Sequence, residues 1–433
     1  MNKLILLLFF LNFTISHSFQ NDSSDLYVKN LFQVLDSFSK HHFIQSSQYF
    51  SDNFQKEALI KSLQNTWLYQ EKKHGPFQEI LYFTKKKGDN SLTLKVLVQM
   101  KNQKLALQFN FFYNAKIKSF QFIDTSEIKP PEYKTPPYVK KQKFHFELIE
   151  FGGKSSPLQA KVYLPNDTKV TNTLLFLHDF GPQNLYHKTG VNPYYRDIAE
   201  GLASNSIASF LFNKRSYIYQ AQTKKALTPA WEILRDLYGA IFKIRSHPQL
   251  KNTQITLVLN GFSSYFSSYL ATQKVFDQFI LLNPSFRHPL YTLFEKEEFF
   301  LNNKNNSEKL LLSLHQRIEN FFKSKKSLNE DFFSYPSSYF KKLTKYQPKK
   351  INSNISTEFL LLNAGEDYSQ NPSDIPIFED ILETQKVTTY NFPELNHIFH
   401  VGQVLQTKQN LHTKGIVSAR VILIIKNWIE SKN

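Results

Sequence analysis

Three polar residues stand just past strand-like apolar runs, in an order that suits acyl transfer. The run ITLVL (255–259) leads into Asn260-Gly261-Phe262-Ser263-Ser264-Tyr265 and then a helical pattern. The run FLLL (359–362) leads into Asn363-Ala364-Gly365-Glu366-Asp367-Tyr368. The run VTTY (387–390) leads into Asn391-Phe392-Pro393-Glu394-Leu395-Asn396-His397. A hydroxyl on a tight strand-to-helix turn is exposed, and the helix amino end behind it favours a developing anion. An imidazole must then take the hydroxyl proton and return it to the leaving group. A carboxylate fixes the imidazole tautomer and stabilises the imidazolium. Taken singly, Ser263 reads equally as a helix N-cap, Asp367 as a turn carboxylate and His397 as a loop residue. The shared order Ser, Asp, His after consecutive strands is what sets the three apart.

The elements that must hold them are legible as periodicities. Apolar runs LLFL (174–177), IASFLF (207–212), ITLVL, FILL (279–282) and FLLL alternate with helical stripes such as Tyr195, Ile198, Ala199, Leu202 and Ile233, Leu237, Ala240, Ile241, Ile244. Strands apolar on both sides and separated by helices predict a parallel sheet covered on both faces. In such sheets ligands meet the carboxyl ends of the strands. A Lys/Phe-rich helical stretch at about 287–350 interrupts the alternation and is expected to cap the site.

Upstream, the pattern differs. Leu31, Val34, Leu35 and Phe38 follow helical spacing, and a second helix is expected from about 51 to 69. Leu92, Leu94, Val96, Val98, Met100 and then Leu105, Leu107, Phe109, Phe111 alternate with polar residues. That is the signature of antiparallel strands with one buried face. A small α+β domain at 24–125 is therefore expected, its helices on a curved sheet. The segment SEIKPPEYKTPPYVKKQ (126–142) carries two proline pairs, which keep it extended and mark it as a linker. The first eighteen residues, MNKLILLLFFLNFTISHS, pair one lysine with a short apolar run and end on small residues Ser16 and Ser18. This is the layout of a secretory leader, so an exported protein, periplasmic or extracellular, is expected with no spanning segment once the leader is removed.

With these motifs in place, residues 143–433 resemble a family of exported bacterial serine α/β-hydrolases, esterase-like or dienelactone-hydrolase-like, often preceded by a small nuclear-transport-factor-like domain. The likeness rests on Leu177-His178-Asp179-Phe180-Gly181-Pro182-Gln183, which parallels a His-Gly-Ser-Gly-Pro-Gln loop. It rests also on Tyr195-Arg196-Asp197-Ile198-Ala199-Glu200-Gly201-Leu202-Ala203, on Asn213-Lys214-Arg215 and on Leu395-Asn396-His397-Ile398-Phe399. The resemblance implies an α/β-hydrolase fold cleaving an ester or related acyl bond of a small molecule. Ser263 matches the nucleophile, Asp367 the acid and His397 the base, with the backbone amides of Phe180 and Ser264 as oxyanion hole.

The chain departs from the family at the nucleophile and at the hole. Gly261-Phe262-Ser263-Ser264-Tyr265 has a tyrosine where the elbow ends on glycine, and Asp179 puts a carboxylate beside the place where negative charge develops. Shifting the elbow by one residue sets Asn260-Gly261-Phe262 in its Gly-x-Ser slots and leaves no nucleophile. A catalytically inactive binding protein of the same fold is thus the alternative to a working serine hydrolase.

Composition closes other routes. The 433 residues contain no cysteine, which excludes disulfide scaffolds, thiolate metal sites and cysteine nucleophiles. The formal charge is +17, but the basic runs at 85–87, 140–141, 323–326 and 349–350 are scattered and no nucleic-acid motif interleaves them. Solvated surface explains them, and no nucleic-acid partner is expected. His397 and His400 at i, i+3 lack an identifiable facing carboxylate, so neither a metal nor another cofactor is expected. His178 reads as a residue packed under its loop, and nothing in the sequence sets the oligomeric state.

Overall fold

The chain forms two compact units, residues 1–130 and 131–433, in a computed structural model. The structure describes residues 19–88, 91–130, 132–153, 156–166, 169–188, 191–219, 227–301, 307–324, 330–333, 335–348, 357–367, 374–382, 386–401 and 414–431. The leader read at 1–18, Tyr368 and parts of the 287–350 insertion lie outside them.

In the first unit, helices α1 (Phe19–Ser39), α2 (Phe43–Ser47) and α3 (Lys56–His74) precede four antiparallel strands in sequential order. These are β1 (Phe77–Lys87), β2 (Leu92–Met100), β3 (Lys104–Phe111) and β4 (Ile117–Ile123). Period-two alternation puts Leu94, Val96, Val98 and Met100 into one core with Leu31, Val34, Leu35, Phe38 and Trp67 of the helices. α3 starts and ends about five residues later than the 51–69 expected. It closes at Gly75, whose φ of +77° glycine adopts readily and whose N–H donates to the Glu71 carbonyl.

The second unit is built on eight strands: β5 (Phe144–Phe151), β6 (Leu158–Pro165), β7 (Asn172–Leu177), β8 (Ala208–Phe212), β9 (Gln254–Asn260), β10 (Gln278–Leu282), β13 (Glu358–Glu366) and β14 (Val387–Asn396). β11 (Asp331–Phe332) and β12 (Tyr335–Pro336) form a separate two-stranded ribbon. The sheet order is β5-β6-β8-β7-β9-β10-β13-β14, with only β6 antiparallel to its neighbours. This mostly parallel, doubly covered sheet, in which the third and fourth strands exchange places, is the α/β-hydrolase fold.

Alternate residues of each strand feed opposite layers. Leu175, Leu177, Leu257, Leu259, Leu281 and Leu361 pack with Leu237, Ala240 and Ile244 of helix Arg235–Ser246. Leu174, Phe176, Val258, Ile280, Leu360 and Leu362 pack with Tyr195, Ile198 and Leu202 of α4 (Tyr194–Ala203) and with Val421, Ile422 and Ile425 of the last helix, Ala419–Glu430. At the amino ends of the strands the sheet is tied by polar bonds: the Thr256 hydroxyl donates to Asn172 Oδ1 at 2.9 Å or Gln278 Oε1 at 3.0 Å. The carboxyl ends are left for the four loops that carry the site.

Arg215, just past β8, is 1% exposed and forks onto Asp236, with Nη2 to Oδ1 at 2.7 Å and Nε to the same carboxylate at 3.0 and 3.2 Å. Burial outweighs this pairing and pushes the Asp236 carboxyl up to about 6. The pair nevertheless fixes β8 to the helix behind it. Removing one partner strands a charge in the interior, so Asp236→Ala should cost about 3–5 kcal/mol in urea-unfolding free energy.

A second stability term is pH-dependent. His400 is buried, its Nε2 has no partner among the described residues, and burial pushes it down to about 4. Its folded value lies below its unfolded one, so the unfolded chain binds the extra proton between about pH 4 and 6.5, and stability falls on acidification. Asp197 and Asp236, raised by burial to about 6, act in the opposite sense in part of that window. A His400→Gln variant should therefore flatten the slope of stability against pH across 4.5–6 by about 1.4 kcal/mol per pH step of one. Parallel melts of both proteins across this range measure it.

Candidate functional site

The residues singled out in the sequence lie at the carboxyl ends of β7, β9, β13 and β14, and the structure brings some of them together. Asp367 follows β13 and His397 follows β14. His397 Nδ1 donates to the Asp367 carboxylate, with both oxygens at 2.9 Å, and the two side chains are 5% and 0% exposed. The bond through Nδ1 sets the tautomer of this buried imidazole, with the proton on Nδ1 and the lone pair on Nε2. The loop that presents it is fixed locally. Asn396 Oδ1 accepts the amides of Ile398 and His400 at 3.1 Å each, and Phe399 turns the chain at a φ of +58°.

Asn283, which sequence reasoning passed over, binds the two loops together. Its Nδ2 donates to the His397 carbonyl at 2.8 Å and its Oδ1 accepts the Ala364 amide at 2.9 Å. Its position immediately after β10, at a φ of +46°, is the signal that could have marked it.

The turn after β9 differs from both registers considered. The only residue of Asn260–Phe266 with a positive φ is Gly261, at +49°, and it is the first residue past the strand. Gly261 is therefore the residue at which the chain turns left-handed on leaving the strand, a conformation that glycine adopts without strain. Phe262 is one residue beyond it and Ser263 two. Ser263 is fully buried, and among the described residues its Oγ bonds only within the turn and to β7. It accepts the Asn260 amide at 2.7 Å and has the Asn260 carbonyl at 3.0 Å and the Leu177 carbonyl at 3.4 Å. Ser263 is thus a turn lock, not a hydroxyl presented to His397.

The same shift corrects two further expectations. The amide next to Gly261 is that of Phe262; Ser264 lies three residues past Gly261, its Oγ buried and without a partner among the described residues. Tyr265 does not crowd the apex either. The close-packing slot two residues beyond it is taken by the small Ser263, while Tyr265 packs its ring against Phe266 and His288.

What fills the vacated place is Asp179, from the loop after β7. A Cβ on Gly261 would lie 2.7 Å from Asp179 Oδ1, 2.9 Å from its Cγ and 3.2 Å from Oδ2. Oδ1 accepts the Phe262 amide at 2.8 Å, and Lys296 Nζ stands 4.0 Å from Oδ2. The carboxylate expected beside the hole therefore points into it. Its charge occupies the donor that an oxyanion would need.

The loop is held from beneath by a buried cation. Lys214 Nζ donates to the carbonyls of Asp179 at 3.1 Å and Gly181 at 2.9 Å, and lies 3.4 Å from Glu232 Oε1. Glu232 in turn accepts the hydroxyls of Tyr335 at 3.0 Å and Tyr339 at 2.7 Å, both from the 287–350 stretch. The Phe180 ring packs on Tyr335, Phe262 and Phe340, with centroids 4.4, 5.3 and 5.9 Å away. Asn213 adds a bond from the Leu185 amide to its Oδ1 at 2.8 Å. His178 lies under the loop with Nε2 donating to the Asn184 carbonyl at 2.9 Å, and burial, aided by Lys214, pushes it down to about 3. His187, stacked on His178, is also held well below the ordinary histidine value, by burial first and then by the surrounding His178, His397, Lys214 and Lys296. Both rings are neutral beside the site. Among the described residues no cluster of three metal-ligating side chains occurs, and no helix is long and apolar enough to cross a membrane.

No family model matches the chain. Over 384 residues it is 22% identical to Esterase EstD of Thermotoga maritima, a match covering 88% of this chain and 89% of that protein. Among solved structures, it is similar to Est1E from Butyrivibrio proteoclasticus at 10% identity, covering 66% of this chain and 98% of that one with a TM-score of 0.43. It is similar also to dienelactone hydrolase from Anabaena variabilis at 13% identity, covering 67% and 98% with a TM-score of 0.39.

Proposed function

We propose that the 131–433 unit recognises a small ester-like or acyl-bearing molecule at the carboxyl edge of its sheet and does not process it through a seryl ester. The observation that carries this reading is Gly261 at the apex with the Asp179 carboxylate in the room a side chain would take. A substrate carbonyl entering this site finds no hydroxyl at the apex and finds the Phe262 amide engaged by a negative charge. An oxyanion there would face like charge instead of a donor, and such donors are worth about 3–4 kcal/mol of transition-state stabilisation. The likeness to Esterase EstD supports an ester-like ligand.

We further infer that the 287–350 stretch caps this site, since Tyr335, Tyr339 and Phe340 pack on Phe180 and Lys296 faces Asp179. Export is inferred from the leader-like first eighteen residues.

A second reading, ester hydrolysis through Ser263 with His397 and Asp367, is favoured by the esterase relative and by the 2.9 Å imidazole–carboxylate bond. It requires Ser263 Oγ to leave its bonds inside the turn. Labelling the purified protein with a fluorophosphonate probe separates the two. No label and background turnover of 4-nitrophenyl acetate are expected; labelling that disappears in Ser263→Ala would establish the second reading instead.

Restoring the hydroxyl provides a converse test. Gly261→Ser alone places a side chain against Asp179 on a left-handed backbone, at a cost of about 1–3 kcal/mol in stability. The double variant Asp179→Gly/Gly261→Ser relieves the clash and frees the Phe262 amide. It should acquire fluorophosphonate labelling at residue 261. A folded double variant that stays unlabelled would place the apex elsewhere.

A further inference from the structure

We propose that β5 is a dimer edge, pairing antiparallel with β5 of a second copy of this chain across a two-fold axis at Phe146. The edge strands of the two larger sheets differ in how they are guarded. β1 carries two register shifts and ends on Lys85, Lys86 and Lys87. β4 pairs with a register shift at Lys118. β14 contains Pro393, and its pairing shifts between Ala364 and Glu366 of β13. Bulges, prolines and lysines are what keep an edge from pairing with another chain. β5 has none of the three: FHFELIEF pairs with β6 over eight residues in unbroken register. Two of its apolar side chains, Phe146 and Leu148, are 51% and 73% exposed.

The ladder fixes which groups face the open edge. The Asn166 N–H donates to the Lys143 carbonyl at 2.9 Å, so His145, Glu147 and Ile149 follow in bonding to β6. Phe144, Phe146, Leu148 and Glu150 therefore turn their N–H and C=O outward. A two-fold axis perpendicular to the sheet keeps each face continuous between copies, and the middle of the strand then offers three registers. Centring on Glu147 sets the two Glu147 carboxylates side by side, and like charges directly opposite repel. Centring on Leu148 sets each Phe146 against Glu150 and each Glu147 against Ile149. Centring on Phe146 pairs the two Phe146 rings, sets Phe144 against Leu148 and brings each Glu147 opposite the other copy's exposed His145. Only this register joins apolar to apolar and acid to base.

The surroundings suit that register. On one face Lys161 Nζ stands 3.5 Å from the Phe146 ring centroid, which fixes the ring while half of it stays open to a second ring. On the other face a cavity of about 420 Å³ opens beside Glu147 and Ile149, walled by Lys243, Ser246, His247 and Pro248. Glu147 Oε2 lies 3.1 Å from His247 Nε2, yet the glutamate side chain keeps 44% exposure. Its carboxylate has room for a second imidazole. His145, whose Nδ1 bonds Asn166 Oδ1 at 2.7 Å, keeps Nε2 for this contact, at the mouth of the other copy's cavity. A ribbon of residues 144–148 from each copy is a small contact, so the dimer should be reversible and concentration-dependent.

The chain has no cysteine, so single substitutions can read the register. Opposed Phe146 Cα atoms would lie about 5.5 Å apart, within the disulfide reach of about 4–7 Å. In the same register the two residues 147 stand about 8 Å apart and the two residues 148 about 14 Å, both too far. Oxidised full-chain Phe146→Cys should therefore run as a covalent dimer on a non-reducing gel, while Glu147→Cys and Leu148→Cys stay single. Sedimentation velocity of the unsubstituted full chain should show the mass doubling as concentration rises, and Leu148→Lys should lose that rise. A chain that is monomeric at every soluble concentration overturns the proposal and leaves the edge to a strand of another protein. So does a dimer that survives Leu148→Lys, the absence of a cross-link at 146, or cross-linking at 147 or 148 that equals it. None of these readouts depends on what the carboxyl edge of the sheet binds.

Discussion

A single short hydrogen bond organises the site: the Asp179 carboxylate on the Phe262 amide, spanning the bare backbone of Gly261. A strand-to-helix turn at the carboxyl edge of a parallel sheet offers an unpaired N–H and a positive helix end. In an acyl-transfer enzyme this donor is kept for the substrate. Here it is satisfied by the protein. The consequence runs outward, because a carboxylate can reach this amide only if the residue between them has no side chain and if the loop carrying it is pinned.

The pinning is done by Lys214. Its ammonium is 1% exposed and collects two loop carbonyls and Glu232, so the charge taken out of water is met on several sides. Glu232 is equally buried and needs its own donors, which come from Tyr335 and Tyr339. The aromatic stack of Phe180 on Tyr335 and Phe340 covers the same contact with apolar surface. The position of Asp179 is therefore set jointly by β8, by the helix that holds Glu232 and by the 287–350 stretch. Arg215, the next residue, secures that arrangement from the other side through Asp236.

Much of this was legible in the sequence, and the misses have physical causes. The central strands announced themselves because burial on both faces demands uninterrupted apolar runs. The edge strand β5 did not. Its sequence FHFELIEF is largely solvated, and its charged positions dilute the pattern. β1 was obscured by the exposed lysines that end it. The meeting of His397 and Asp367 was legible because each follows its strand by a residue, where geometry leaves little freedom. Gly261-Phe262-Ser263 copies the Gly-x-Ser text, but Ser263 stands two residues past the one that turns left-handed, a count that text alone does not give. Only the residue that leaves the strand adopts a positive φ, and that residue is Gly261. The end of β9 at Asn260 held the information, since counting from the strand and not from the serine gives the observed register.

Gly261 and Asp179 are two halves of one feature. With any other residue at 261, the Cβ at 2.7 Å would expel the carboxylate, and the backbone would carry left-handed strain as well. With glycine at 261 and no acid at 179, the Phe262 amide would lose its partner. Each departure from the elbow pattern looks like damage when read separately. Together they let a carboxylate carried by the loop after β7 reach the amide that follows the turn after β9.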